Sequence, residues 1–322
     1  MMAVPNANYA NELIATTLEE CSPIVFNGVY QATPLLKWFK ANQETVNGGR
    51  KVTSPLLYAG NSQGKWFTKG EAFAVGEEDQ ITRSNFDWKY LVLPLLIYDQ
   101  DEMMNAGQEQ IVDLVKTKVD DAQMAIADKM SDALLASSWT SASKLLPALA
   151  VVVDTTTDLG DIDASEVTSW RSQVLTSGTF SVNLIEDLYN DCGLALKGGY
   201  YPDVGFWAQD MVQSYKVLVG DHAQVDMTRA TSQKADISIS DVSFRGKPIY
   251  IESGLTAGSG YFLHSKLVKM VAHTRNARSF ITKQESVPLT PGATVHYYWG
   301  AFSMRVRARS PLAKFTGLTA VT

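Results

Sequence analysis

Charge, cysteine, histidine and long apolar runs are all scarce in this chain. Only 19% of its 322 residues are Asp, Glu, Lys or Arg and 45% are hydrophobic. Soluble globular chains usually carry ~25% charge, so more of this surface than usual is expected to end against another surface. Two cysteines, Cys21 and Cys192, exclude a disulfide framework, and each sits in an apolar helical pattern that suits a small buried thiol. The four histidines, His222, His264, His273 and His296, lack metal-ligand pair spacing, and neither H-E-x-x-H nor C-x-x-C occurs, so no metal or cofactor is expected. No stretch reaches the ~18 apolar residues of a membrane span, and Met1–Asn8 lacks the regions of a signal peptide, giving the expectation of a cytoplasmic chain with no membrane partner. A net charge of −6 and a pI near 5.3 argue against a basic nucleic-acid clamp. The length suits about two domains at ~150 residues each.

The first forty residues read as short helices broken by prolines. Tyr9, Leu13, Ile14 and Leu18 recur at helical spacing until Ser22-Pro23. Thr33-Pro34 then supplies an N-cap and a proline at the first helical position before Leu35-Leu36-Lys37-Trp38-Phe39. After Gly48-Gly49 the pattern turns to strand: Lys51–Tyr58 is one run, Ala59–Gly70 is rich in turn residues, and Phe86, Trp88, Tyr90 and Val92 alternate before Pro94. A two-stranded excursion of this kind is marginal in water, so it should lie on something else.

From about Gln108 to Ser137, residues Ile111, Leu114, Val115, Val119, Ala122, Ile126, Met130, Ala133 and Leu134 keep one apolar stripe, with Asp113, Lys116, Asp120, Asp121, Asp128 and Asp132 largely off it. Roughly 30 residues predict a helix about 45 Å long. Farther on, Asp163 and Glu166 resemble a capping box for a helix carrying Val167, Trp170 and Val174. Ser181 opens a helix through Cys192 that Gly198-Gly199 stops, and Gln209 opens another through Val219. Strands are expected at Tyr201–Ala208, Pro248–Glu252, Tyr261–His264, Leu267–His273, Phe280–Val287, Val295–Arg309 and near the carboxyl end. The class is α+β, with a mainly β carboxyl third and no internal repeat.

Gly60-Asn61-Ser62-Gln63-Gly64 matches the nucleophile-elbow pattern, which needs its serine on a tight strand-to-helix turn. The following Lys65–Gly70 is a poor helix, so a loop tip is the plainer reading and a serine hydrolase using Ser62 a remote alternative. Gly258-Ser259-Gly260 leads into a strand, not a helix, and is a turn. Asp158, Asp161, Asp163 and Glu166 lack the glycine and closing glutamate of a calcium loop. No catalytic constellation emerges, and the expectation is a protein that is not an enzyme.

Charge is distributed unevenly. Glu71–Asp132 holds 14 acidic and 5 basic residues, net −9, whereas His264–Thr322 holds 9 basic and 1 acidic, net +8. One end of the chain suits the other, within one subunit or on a neighbouring copy. The candidate contacts are Glu71, Glu77, Glu78 and Asp79 against Arg275, Arg278, Arg305, Arg307 and Arg309. The spacing of Arg305, Arg307 and Arg309 would put all three on one face of a strand.

The order of elements, arm, hairpin, long helix, α+β block and β-rich end, resembles the major capsid protein of tailed bacteriophages, the Hong Kong ninety-seven fold also found in encapsulins. Local text agrees: Asn47-Gly48-Gly49-Arg50, Asp87-Trp88-Lys89, Asn105-Ala106-Gly107, Phe244–Tyr250 followed by Tyr261-Phe262-Leu263, and Lys314–Leu318. The resemblance implies an N-terminal arm at 1–47, an extended loop at 48–98, a peripheral domain with the spine helix at 99–140, an axial domain at 141–272 and returning peripheral strands at 273–322. It further implies a virion protein, made and assembled in the host cytoplasm, that forms hexamers and pentamers around double-stranded DNA without reading its sequence. A separate scaffolding protein, a portal and a decoration protein are the expected partners, and an encapsulin-like compartment is the alternative. Covalent cross-linking, found in part of that family, would draw on Lys65 or Lys69 with Asn276.

Overall fold

The computed structural model describes residues 33–72, 76, 78–98, 114–196, 199–220, 242–274, 281–286 and 293–321. Its helices are α1 (Pro34–Ala41), α2 (Leu114–Leu135), α3 (Leu149–Val152), α4 (Val182–Leu194) and α5 (Gln209–Gly220). The strands run β1 (Glu44–Val46), β2 (Lys51–Leu57), β3 (Ile81–Asp87), β4 (Lys89–Tyr98), β5 (Gln173–Thr179), β6 (Val204–Trp207), β7 (Val242–Phe244), β8 (Lys247–Ile251), β9 (Gly260–Leu263), β10 (Val268–His273), β11 (Ile281–Ser286), β12 (Ala293–Val306) and β13 (Ala313–Thr319). The chain divides into two compact units, a smaller one that includes Leu93–Ala125 and Thr282–Tyr297, and a larger one of Gln31–Val92, Ile126–Ile281 and Tyr298–Thr322. The expected α+β class holds.

In the larger unit a six-stranded sheet has the order β5-β13-β9-β6-β8-β7. Its core centres on Trp207, which meets the rings of Phe315, Phe262, Tyr215 and Phe180 edge-on at 5.5, 5.6, 5.6 and 6.0 Å. Gly260 is required beneath this cluster, because a Cβ there would lie 2.3 Å from Phe315 Cζ. α4 packs Ile185, Leu188, Tyr189 and Cys192 on the same core, and Ser181 Oγ caps it by accepting from the Leu184 N–H at 3.2 Å. A second sheet sets β1 parallel to β10 and β10 antiparallel to β12, pairing Val268 with Val306; β11 and β4 also pair with β12.

Pro34 occupies the first turn of α1 as expected, but Thr33 makes no side-chain cap. The Leu35 N–H instead donates to Glu252 Oε2 at 3.0 Å, a carboxylate 217 residues away in sequence. Long-range packing supplies the negative end that a local residue does not. Burial pushes the Glu252 pKa up, against the Leu35 and Gly254 N–H groups that favour its anion.

Two other expectations are corrected. No helix follows Asp163, whose Oδ1 accepts from the Ser165 N–H at 2.6 Å in a local turn; a short 3₁₀ turn at Thr168–Trp170 leads into β5, recruited as a strand by parallel pairing with β13. α2 has 22 residues, about 33 Å at 1.5 Å per residue, and the predicted first turns at 108–113 lie outside the described residues. Its apolar stripe is as expected, with Ala122, Ile126, Met130, Ala133 and Leu134 buried. β12 ends at Val306, so of the three arginines expected on one strand face only Arg305 lies on it, and Arg307 and Arg309 follow its end.

Arg309 is wholly buried. Its Nε donates to Val152 O at 2.9 Å, Nη2 to Val151 O and Asp154 O at 2.9 and 2.8 Å, and Nη1 to Thr157 O at 2.8 Å. These carbonyls belong to the end of α3 and the turn after it, where Asp154 O also accepts from the Ser172 N–H at 3.1 Å. Desolvation pulls the guanidinium pKa down to about 10, opposed by Asp154 and Asp158, so it remains a cation at neutral pH. Arg309 thus caps its own chain and is withdrawn as a contact to a neighbour. Lys314 completes the arrangement with Ala150 O and Asp154 Oδ1, both at 2.8 Å.

The hairpin β2–β3 pairs from Lys51 with Asp87 to Leu57 with Ile81. Its base lies on its own chain: Val52, Ser54, Ser84 and Phe86 are buried, Ser84 Oγ donates to Val306 O at 3.0 Å, and the Asn85 N–H donates to Gly160 O at 2.9 Å. Gly160 has φ +69°, and a Cβ there would stand 3.0 Å from Ser84 Cβ. Gly160→Ala should therefore cost about 1–2 kcal/mol and loosen the seat. Amide exchange in β2 and β3 should accelerate while β6 and β9 keep their protection; unchanged exchange in the hairpin would refute the seat.

Candidate assembly surface

Beyond its base the hairpin continues as an irregular tip. The strands end at Leu57 and Ile81, with one further backbone bond from the Tyr58 N–H to Gln80 O at 3.0 Å; Leu57 and Ile81 are 64% and 72% exposed, and Trp66 and Phe67 stand 101% and 69% exposed. Isolated apolar side chains on a surface are ordinary, but four exposed ones on one hairpin make it a candidate contact surface. Sequence reasoning passed over Trp66 and Phe67; the available signal was two aromatics inside a turn-rich segment where no core could cover them.

Polar groups hold the tip in shape. Lys65 Nζ reaches Glu71 Oε1 and Ala72 O, both at 2.9 Å, while the Thr68 N–H donates to Glu71 Oε2 at 3.2 Å. The Lys65 ammonium first, and then the Thr68 N–H, hold the Glu71 carboxyl below its usual value. Glu78 accepts from the Ser62 hydroxyl, from the Ser62 N–H at 3.0 Å and from Gln63 Nε2 at 2.9 Å, which together lower its pKa to about 2. The Ser62 hydroxyl is therefore a donor to a carboxylate on an exposed loop without a following helix, which removes the geometric basis of the hydrolase alternative. Among the described residues no group of three or more His, Cys, Asp or Glu could hold a metal ion, and no helix is long and apolar enough to cross a membrane.

The other predicted contacts are dispersed. Arg305 Nη1 bonds to Glu44 Oε1, and Arg307 Nη2 lies 3.6 Å from Glu44 Oε2, so both arginines meet one carboxylate on β1 of the same chain. Asp79 and Lys69 are exposed, and neither has an ion-pair partner among the described residues. Glu77, Arg275, Arg278 and Asn276 lie outside the described residues. The loop acids and the basic carboxyl strands are thus not brought together in one chain at the described positions. Cys192 is buried, and desolvation raises its thiol pKa to about 12, so it acts as a small core side chain.

No protein-family model and no curated protein sequence matches the chain. Solved structures do. The chain is similar to a subunit of the cyanophage A-1(L) capsid asymmetric unit, with a TM-score of 0.72 and 13% identity, over 96% of this chain and 99% of that one. It is also similar to the capsid of a native GTA particle, with a TM-score of 0.63 and 10% identity over 98% and 100%. A structure from Mycobacterium phage Adephagia matches with a TM-score of 0.57 and 13% identity over the full length of both chains. At such low identity it is the fold that is shared, and the fold of this chain is that of phage capsid subunits.

Proposed function

We propose that the chain is a non-enzymatic major capsid protein of a tailed bacteriophage, which assembles as hexamers and pentamers into an icosahedral shell around double-stranded DNA. The observation that carries this reading is the whole-length likeness to capsid subunits, paired with a hairpin tip on which the described side chains of Trp66 and Phe67 stand exposed. In this reading the six-stranded sheet belongs to the axial domain, α2 is the spine helix, and the tip lies across an adjacent subunit. Interfaces of obligate assemblies run to ~2,000–5,000 Å², in keeping with the low charge. The virion is the place of the protein, with a scaffolding protein, portal and decoration protein as partners, and DNA held without base readout. Co-expression with a scaffolding partner, followed by sedimentation and electron microscopy, tests it: closed shells are expected, and a chain that stays monomeric at high concentration would overturn it.

The acidic side of the loop supplies a second test. Glu78 is committed to Ser62 and Gln63, whereas exposed Asp79 has its carboxylate available, and Glu77 precedes Glu78 in the sequence. Reversing Glu77 and Glu78 to Lys should leave the body of the subunit folded while releasing Ser62 and Gln63 at the tip, and Asp79→Lys alone should leave the tip intact; both should reduce particle yield, with part of the yield restored by reversing Arg275 or Arg278. An exposed pair is worth only ~0–1 kcal/mol, but a closed shell repeats it in every subunit. Normal yield from these variants at low and moderate salt would leave neutralisation within the subunit as the meaning of the charge asymmetry. Denaturing electrophoresis of mature particles separates a cross-linked shell from an uncross-linked one: a ladder would implicate Lys65 or Lys69 with Asn276, and a single band at 35.3 kDa would exclude it.

A further inference from the structure

The β7–β8 hairpin turns on Arg245 and Gly246, at φ +48° and +74°. Two consecutive residues with positive φ match the twist of a tight hairpin, and glycine meets that demand without strain. An arginine meets it only against its own Cβ. The turn places the guanidinium 5.5 Å from the Tyr189 ring, bonded to Asn190 Oδ1 at 2.8 Å and to the Glu186 carboxylate.

Beside it opens a cleft of about 600 Å³, whose walls bring together Arg245, Lys247, His264 and Lys266 with Tyr189 and Tyr201. Two carboxylates stand near this cluster, and both are engaged. Glu186 is held by Arg245; Asp203 accepts from the Ser265 N–H at 2.9 Å and from its hydroxyl, and lies 3.7 Å from His264 Nδ1. Among the described residues no carboxylate pairs with Lys247 or Lys266. Their field registers at His264: burial, then Lys266 and Lys247, lower its pKa against the pull of Asp203. The Lys266 N–H donates to His264 Nδ1 at 3.1 Å, which places the proton of the neutral imidazole on Nε2.

We propose that this cleft binds phosphate-class anions, with Lys247 and Lys266 as the primary ligands and Arg245 and His264 as further donors. Donors converging from two separate connections suit a tetrahedral, multiply charged group, and the planar guanidinium adds paired N–H groups. The phosphate has two sources: a free polyphosphate, or the backbone of DNA enclosed by the shell. The second rests on the capsid reading; the site itself does not.

Sodium triphosphate titrated into the unassembled full-length subunit by calorimetry tests the site. Lys247→Ala/Lys266→Ala should weaken binding at least about tenfold, while Lys37→Ala/Lys40→Ala, which removes the same charge from α1, should leave it unchanged. Thermal melting of both variants confirms that the fold is retained. Since burial and the neighbouring Lys266 and Lys247 hold His264 below its usual value of 6.5, any tightening from its protonation, opposed by Lys247, Lys266 and Arg245 and favoured by Asp203 and Glu186, should come only below pH 6.5, and His264→Gln should flatten that part of the profile. A short duplex DNA supplies the second arm. A matching loss, with the salt dependence falling by about one unit per lysine removed, assigns the site to DNA; DNA binding unaffected while triphosphate binding falls assigns it to a free anion. Equal triphosphate binding by the wild type and the Lys247/Lys266 variant would overturn the proposal. Shell formation, read separately by sedimentation, fails or succeeds independently of this result.

Discussion

An Arg309→Met variant should lose about 3–5 kcal/mol of stability and accumulate as insoluble chain. Methionine fills much of the same volume, so the expected loss is not a cavity effect. It arises because the carbonyls of Val151, Val152, Asp154 and Thr157 lose a buried donor together, and water has no ready route to replace it. Arg309→Lys should fall between the two, since an ammonium offers three donors without the planar fork that reaches four oxygens. Urea unfolding followed by tryptophan fluorescence is a direct measure, because Trp170 lies 6.0 Å from the guanidinium. A methionine variant with the wild-type midpoint would show that the carbonyls find other partners.

Trp66→Ser combined with Phe67→Ser should have the opposite profile. Both side chains are exposed in the subunit, so urea stability should stay within ~0.5 kcal/mol of wild type. Assembly should suffer heavily, since a buried aromatic anchor is worth about 2–4 kcal/mol at an interface, or roughly 30-fold to 1,000-fold in the concentration at which shells form. Light scattering across a concentration series measures that threshold. Shells forming at the wild-type concentration would mean that the tip is not an anchor, whatever else the loop contacts.

Helices whose start and periodicity are local were legible in the sequence. Ser181 and the Ile185, Leu188, Tyr189, Cys192 spacing define α4 without reference to the rest of the chain, and Gln209 with Val212 and Tyr215 does the same for α5. Elements defined by distant partners were not. Gln173–Thr179 carries no strong strand pattern and becomes β5 because β13 lies beside it, and the Asp163–Glu166 pair that suggests a capping box is consumed by a turn. The arginine series shows the same limit within a single motif. Arg305 and Arg307 both meet Glu44, but nothing local reveals that the strand ends at Val306, before Arg307, and that Arg309 turns inward to a helix end made more than 150 residues earlier. The hairpin was readable as an excursion because Gly48-Gly49 and the turn-rich tip bracket two strand runs. Its seat on Gly160 was not, since it depends on contacts across the fold.

The position of β13 governs when a subunit can exist at all. This strand is inserted between β5 and β9, pairing Ala313 with Gln173 on one side and with Phe262 on the other. Until residue 319 has left the ribosome, β5 and β9 each face an empty lane, and Phe315 is missing from the ring cluster around Trp207. Such non-local closure is slow, and a nascent chain in this state exposes strand edges and apolar side chains. Translation therefore imposes a temporal order, in which the hairpin tip is synthesised early but the body that gives it a fixed direction is completed late. A partly made chain lacks the finished sheet, and the full set of surfaces exists only once β13 has taken its place between β5 and β9.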